Sequence, residues 1–185
     1  MNIALKEWAS VVAALEAGLQ VCLLRKGGIV EADRGGFQLR YRRFLLFPTY
    51  EHEHALLVKD QFKSLVTETR EEFHELSLVC EVTDVVTTSG YETVQAASEH
   101  FIWNDAFLRK RLDYKPNLPL YALLLRAYRL PSPIRIPDRP SYAGCKSWVH
   151  LTEEIDVSRL EPVLTDAEFA RRSEALLDAL QLALR

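Results

Sequence analysis

The chain has 185 residues, 48% of them hydrophobic and 26% charged, which is enough for one sizeable core and too short to require two. Its formal net charge of −3 is near neutral, and no apolar run approaches the roughly 18 residues that a membrane-spanning helix needs. Lys6, Glu7 and Glu16 interrupt the N-terminal stretch where a signal peptide would be apolar, and the three cysteines Cys22, Cys80 and Cys145 lack CxxC spacing, so neither a disulfide framework nor a zinc ribbon is indicated. These features predict a soluble cytoplasmic protein folded as a single domain over residues 1–185, with no membrane contact.

In chain order, Asn2 is placed to cap a first helix in which Leu5, Trp8, Val12 and Leu15 share a face and Gly18 supplies the stop. Val21 to Leu24 reads as a short buried strand entering a turn at Gly27 and Gly28. Arg25 and Lys26 before that turn would suit an anion, although the phosphate-loop spacing is absent. The densest stretch is Phe37 to His54, where Phe37 and Leu39 alternate with polar residues and Phe44 to Phe47 is continuously apolar. One or two strands are expected there, with Pro48 ending the pairing. Arg40, Arg42 and Arg43 sit beside Tyr41 and Tyr50, a mixture suited to phosphate contact and base stacking.

In Glu51-His52-Glu53-His54 an extended backbone would turn His52 and His54 to one side as the start of a metal site. His52 alone could instead act as a general base, supported by Glu51. Residues 59–75 read as a partly helical surface connection. Leu76 to Val86 alternate as a strand whose register turns Asp84 inward, a position for a site carboxylate unless the strand bulges or ends; Thr87 to Gly90 favour an end.

Glu92 to His100 looks helical, and Asn104 is placed to cap a further helix. Leu118 to Leu130 is apolar on both faces and reads as a central strand, with a helix left open by its Leu and Ala content. Pro131, Pro133, Pro137 and Pro140 predict an extended excursion that is not interior sheet throughout. Around Tyr142 to Leu151 a strand would send Cys145 and His150 to opposite faces. It would gather Lys146, Trp148 and His150 on one, an aromatic and basic surface. The chain closes on an amphipathic helix with a Thr165/Glu168 capping box and a Leu164/Phe169 staple, its apolar face continuing through Leu176, Leu180 and Leu184.

The charge is segregated. Residues 25–43 hold 6 basic and 2 acidic side chains, residues 51–106 hold 3 and 12, residues 107–146 hold 9 and 2, and residues 147–185 hold 4 and 8. Either the basic blocks present a surface to a polyanion, or each is neutralised by an acidic block in ion pairs of small individual worth.

Lys6-Glu7-Trp8, Leu24-Arg25-Lys26-Gly27-Gly28, Phe44 through His52, Leu125-Arg126-Ala127-Tyr128-Arg129-Leu130 and Cys145-Lys146-Ser147-Trp148-Val149 together resemble the bacterial family called domain of unknown function 1802, over nearly the whole chain. The resemblance implies a context rather than an activity, since some members are joined to a restriction-endonuclease-like domain. A restriction-type core needs carboxylates and an Asp/Glu-x-Lys near strand ends. The Asp-x-Lys here, Asp113-Tyr114-Lys115, falls at a predicted helix end, which argues against this domain being the one that cuts.

The reading is an α+β domain with a curved mixed sheet of about five or six strands covered by the N- and C-terminal helices. Its leading function is binding of DNA, RNA or a nucleotide-like anion through Arg25, Lys26, Arg40, Arg42, Arg43 and Lys146, with Tyr50 and Trp148 as stacking surfaces. The alternatives are a hydrolase of a phosphorylated or nucleic-acid substrate using His52, Glu51 and Asp84, with His52 and His54 as metal ligands, and a protein-partner or homo-oligomer domain whose last helix is the interface. No cofactor is specified.

Overall fold

The chain begins with a strand. In the computed structural model, which describes residues 1–26, 37–50, 54–67, 72–88 and 90–182, Ile3–Trp8 forms β1 and the first helix, α1, runs only from Ala9–Glu16. The helical spacing of Leu5, Trp8, Val12 and Leu15 is thus split between two elements. Ile3 and Leu5 also fit a period of two, and pairing on both sides of β1 decides in favour of the strand, as tertiary context does when local pattern is ambiguous. Gly18 is the expected stop: it adopts φ +67° and donates to the Leu15 carbonyl at 3.0 Å.

Six further strands follow: β2 (Cys22–Arg25), β3 (Arg43–Thr49), β4 (Phe73–Thr88), β5 (Leu120–Pro137), β6 (Trp148–His150) and β7 (Glu161–Pro162). They make a seven-stranded mixed sheet in the order β2-β5-β4-β3-β1-β6, with β7 on β5; β1 and β3 run parallel. Among the described residues three more α-helices, α2 (Tyr91–Ala96), α3 (Asp105–Asp113) and α4 (Asp166–Leu182), belong to the α+β domain. Asn104 caps α3 by accepting from the Phe107 amide at 3.1 Å, and the Thr165/Glu168 capping box opens α4.

Both faces of the sheet are covered, which is why Phe44 to Phe47 is apolar without alternation. Phe44 and Leu46 join Leu5, Cys80, Leu123, Trp103 and Leu176 in a core beneath the helices. Leu45 and Phe47 join Ala4, Val79, Tyr142, Leu151 and Ile155 in a second core on the opposite face. Cys22 and Cys80 are buried free thiols, with burial pushing Cys22 up to about 12, whereas Cys145 is exposed.

Prolines sit in the sheet where its ladder has room for them. Pro48 does not end β3: it pairs with Glu7 of β1, and β4 accompanies β3 only over Arg43 to Leu45, so the missing amide leaves no partner unmet. The strand expected over Leu118 to Leu130 forms as β5, but it begins at Leu120 and runs on through the proline segment to Pro137. Pro131 and Pro133 occupy an irregularity between the Leu78/Arg129 and Leu76/Ile134 pairs, where the register already breaks. A second break, between Val82 and Asp84, is a bulge rather than the expected strand end, and β4 continues to Thr88.

The sheet is curled. In a flat sheet β2 and β1 would lie four strand spacings of about 4.8 Å, roughly 19 Å, apart. Arg25 at the end of β2 nevertheless donates to Glu7 of β1 at 2.9 Å.

Candidate nucleic-acid interface

Strand directions bring several sequence motifs to one end of the sheet. The parallel strands β1 and β3 finish there with Lys6-Glu7-Trp8 and Pro48-Thr49, antiparallel β6 starts there at Trp148 just after Ser147, and the curl brings in Arg25. Alternation along β1 points Lys6 toward Phe47 and the second core while Glu7 turns to Arg25. Arg25 is a clasp. Its guanidinium donates to Glu7 Oε2, to the Lys6 carbonyl at 3.0 Å and to Ser147 Oγ at 2.7 Å, and it lies 5.3 Å over the Phe37 ring.

This placement corrects three sequence expectations. Arg25 and Lys26 are 8% and 1% exposed, so neither guanidinium nor ammonium is presented to a phosphate chain. Lys26 Nζ donates to the Leu112 carbonyl at the end of α3, a favourable position for a cation. Arg111 on α3 returns the contact to the Leu24 carbonyl. Burial, then the charge of Arg25, push Arg111 down to about 10. Trp148, 8% exposed, is core rather than stacking surface: its indole N–H donates to the Gln38 carbonyl at 3.0 Å, with the Phe37, Tyr41 and Phe44 rings packed around it.

The second basic block is largely used internally. Arg109, Arg126, Arg135 and Arg139 pair with Asp105, Asp166, Glu75 and Glu153, and Arg129 donates to the Glu16 carbonyl at the end of α1. Half-buried Lys146 donates to the Ser141 carbonyl. The first block differs. Arg40, Arg42 and Arg43 are exposed, and their side chains make no ion pair or hydrogen bond among the described residues. They lie on the chain entering β3, which is held by the Gln38 carbonyl on Trp148 and by the Val82 amide donating to the Arg42 carbonyl at 2.8 Å. Tyr41 between them packs edge-to-face on Trp148 at 5.2 Å and on exposed His150 at 6.2 Å. Glu7, Arg25, Phe37, Trp148 and Tyr41 therefore form a continuous line of contacts from the buried clasp to the exposed arginines. The alternation of Trp148 and His150 was legible in the sequence; that Tyr41, and not Tyr50, joins them was not, because the contact spans more than 100 residues.

Tyr50 lines a different feature, a small solvent-open cleft between Lys6, Phe47, Thr49, His74 and Tyr142. His74 and Asp138 meet there, unmarked by any sequence motif. His74 Nδ1 lies 3.0 Å from the Pro48 carbonyl and Nε2 3.2 Å from Asp138 Oδ1. Both ring nitrogens face oxygens, so in this arrangement the imidazole ties β3, β4 and the end of β5 together and offers no open nitrogen to a substrate.

His52 and Glu51, the proposed base and its support, lie outside the described residues. His54 is exposed at the start of a 3₁₀ turn, and Asp84 is exposed on the β4 bulge rather than inward. Among the described residues no group of three or more His, Cys, Asp or Glu side chains is placed to hold a metal ion. No helix among them is long and apolar enough to cross a membrane.

Fold and site define an α+β domain with a curled, internally clasped sheet and, among the described residues, an exposed arginine stretch that makes no ion pair. The chain belongs to the family described as Domain of unknown function (DUF1802), which matches residues 4–175. No curated protein and no solved structure matches it.

Proposed function

We propose that this domain is a nucleic-acid-binding accessory module that holds the phosphate backbone with Arg40, Arg42 and Arg43. One observation carries the reading: these three neighbouring guanidinium groups are exposed and make no ion pair or hydrogen bond among the described residues, while most of the other basic side chains of the two basic blocks are engaged within the fold. Exposed arginine has a planar fork of donors and weak hydration, which suit it to phosphate oxygens. The occurrence of restriction-endonuclease-like partners in the family that the sequence resembles supports a place in restriction, defence or related nucleic-acid transactions, with the chemistry performed elsewhere.

The test is the double variant Arg40→Glu with Arg42→Glu, both outside the β3 ladder. It is expected to weaken binding to labelled oligonucleotides at least tenfold at low salt while the melting temperature stays nearly unchanged, because exposed substitutions cost within about 0.5 kcal/mol. Equal affinity in variant and parent would remove these arginines from the site.

A further inference from the structure

The arginine stretch adjoins two aromatic rings whose placement specifies the form of nucleic acid it would take, an inference that rests on the nucleic-acid reading above. Tyr41 is half-buried and His150 exposed. The Tyr41 ring stands 74° to Trp148 and 81° to His150. Perpendicular packing leaves each ring a face that the other does not cover. Tyr41 is also braced from behind, since Trp148 is fixed by Phe37, Phe44 and the Gln38 carbonyl. Arg40 and Arg42 flank Tyr41 directly on a chain that is not helical. Reading a duplex in its major groove calls for a helix or a two-stranded ribbon projecting from the surface. Exposed aromatic rings beside cations instead suit a single strand, whose bases stack on the rings while its phosphates meet the charges.

We propose that Tyr41 and His150 form a stacking platform for the bases of a single-stranded nucleic acid whose phosphates are held by Arg40 and Arg42. Trp148 is a positioning residue beneath the platform. Edge strand β6 contributes His150, and the chain entering β3 contributes Tyr41 and both arginines.

The experiment is fluorescence anisotropy on the full chain with labelled single-stranded DNA and RNA and the duplex of the same sequence, with inorganic polyphosphate as a competitor that has charge but no bases. The single strand is expected to bind more tightly than the duplex. His150→Ala, a change at an exposed position, should weaken single-strand binding roughly five- to hundredfold, the range of one lost stacking contact, and leave polyphosphate competition unchanged. Tyr41→Ala should do the same, with Tyr41→Phe restoring affinity. Duplex binding as tight as single-strand binding, or His150→Ala and Tyr41→Ala both at parental affinity, would overturn the platform while leaving the arginine site standing. No binding to any of the oligonucleotides would overturn both.

Discussion

Arg25 shows why a basic residue in a basic block need not be a ligand-binding residue. Its charge is buried against Glu7, with Ser147 and the Lys6 carbonyl taking further donors, so removing it strands a carboxylate that is 5% exposed. Arg25→Met is therefore expected to lower unfolding stability by about 3–5 kcal/mol in urea titrations. Adding Glu7→Gln to that variant should recover part of the loss, because the uncompensated charge is gone. A single-variant cost below about 1 kcal/mol would contradict the clasp. Nothing in Leu24-Arg25-Lys26-Gly27-Gly28 distinguishes this role from phosphate binding. The partner lies in β1, 18 residues away in sequence and across a curled sheet. Arg40, Arg42 and Arg43 were equally legible as basic residues, and it takes the structure to separate them from Arg25, by its burial and its bonding partners.

At the scale of elements, helix boundaries were legible wherever the signal was local. The Asn104 cap, the Thr165/Glu168 capping box and the Gly18 stop each depend on residues within one turn and formed as read. Strand β1 depends on pairing with Leu45 to Thr49 of β3, more than 40 residues away, and its helical spacing misled. The proline-rich end of β5 misled for a related reason, since an irregular ladder accommodates Pro131 and Pro133 in a way that residue type alone does not announce. The Gly18 stop has a further constraint. A Cβ there would meet Leu164 Cδ2 at 2.7 Å in addition to adopting the left-handed backbone. Gly18→Ala is expected to cost about 1–2 kcal/mol in denaturant midpoint, the scale of a left-handed non-glycine residue. An unchanged midpoint would show that the end of α1 can relax away from the segment preceding α4. The same capping box holds the Glu168 carboxylate below its ordinary range through hydrogen bonds from Thr165. Its contribution is present above the ordinary glutamate range and is lost as pH falls through the lowered value.

Across the whole molecule, fold class and the covered sheet followed from composition and apolar runs, whereas the curl that brings β2 back to β1 did not, because curvature arises from how all the strands pack together. That curl decides what the charge map means. It draws Arg25 inward and gathers the chain entering β3 over Trp148, leaving Arg40, Arg42 and Arg43 exposed and without an ion pair among the described residues, on a protein whose net charge is −3. The central claim, that this patch holds a phosphate backbone, is tested most directly by the salt dependence of oligonucleotide binding in the parent and in a variant with Arg40, Arg42 and Arg43 all changed to Ala. If all three contact phosphates of a single strand, the slope of log affinity against log salt should flatten by about 2 in the variant, roughly 0.7 for each lost contact. A steep slope that is the same in both proteins would place the phosphate contacts elsewhere and contradict the account.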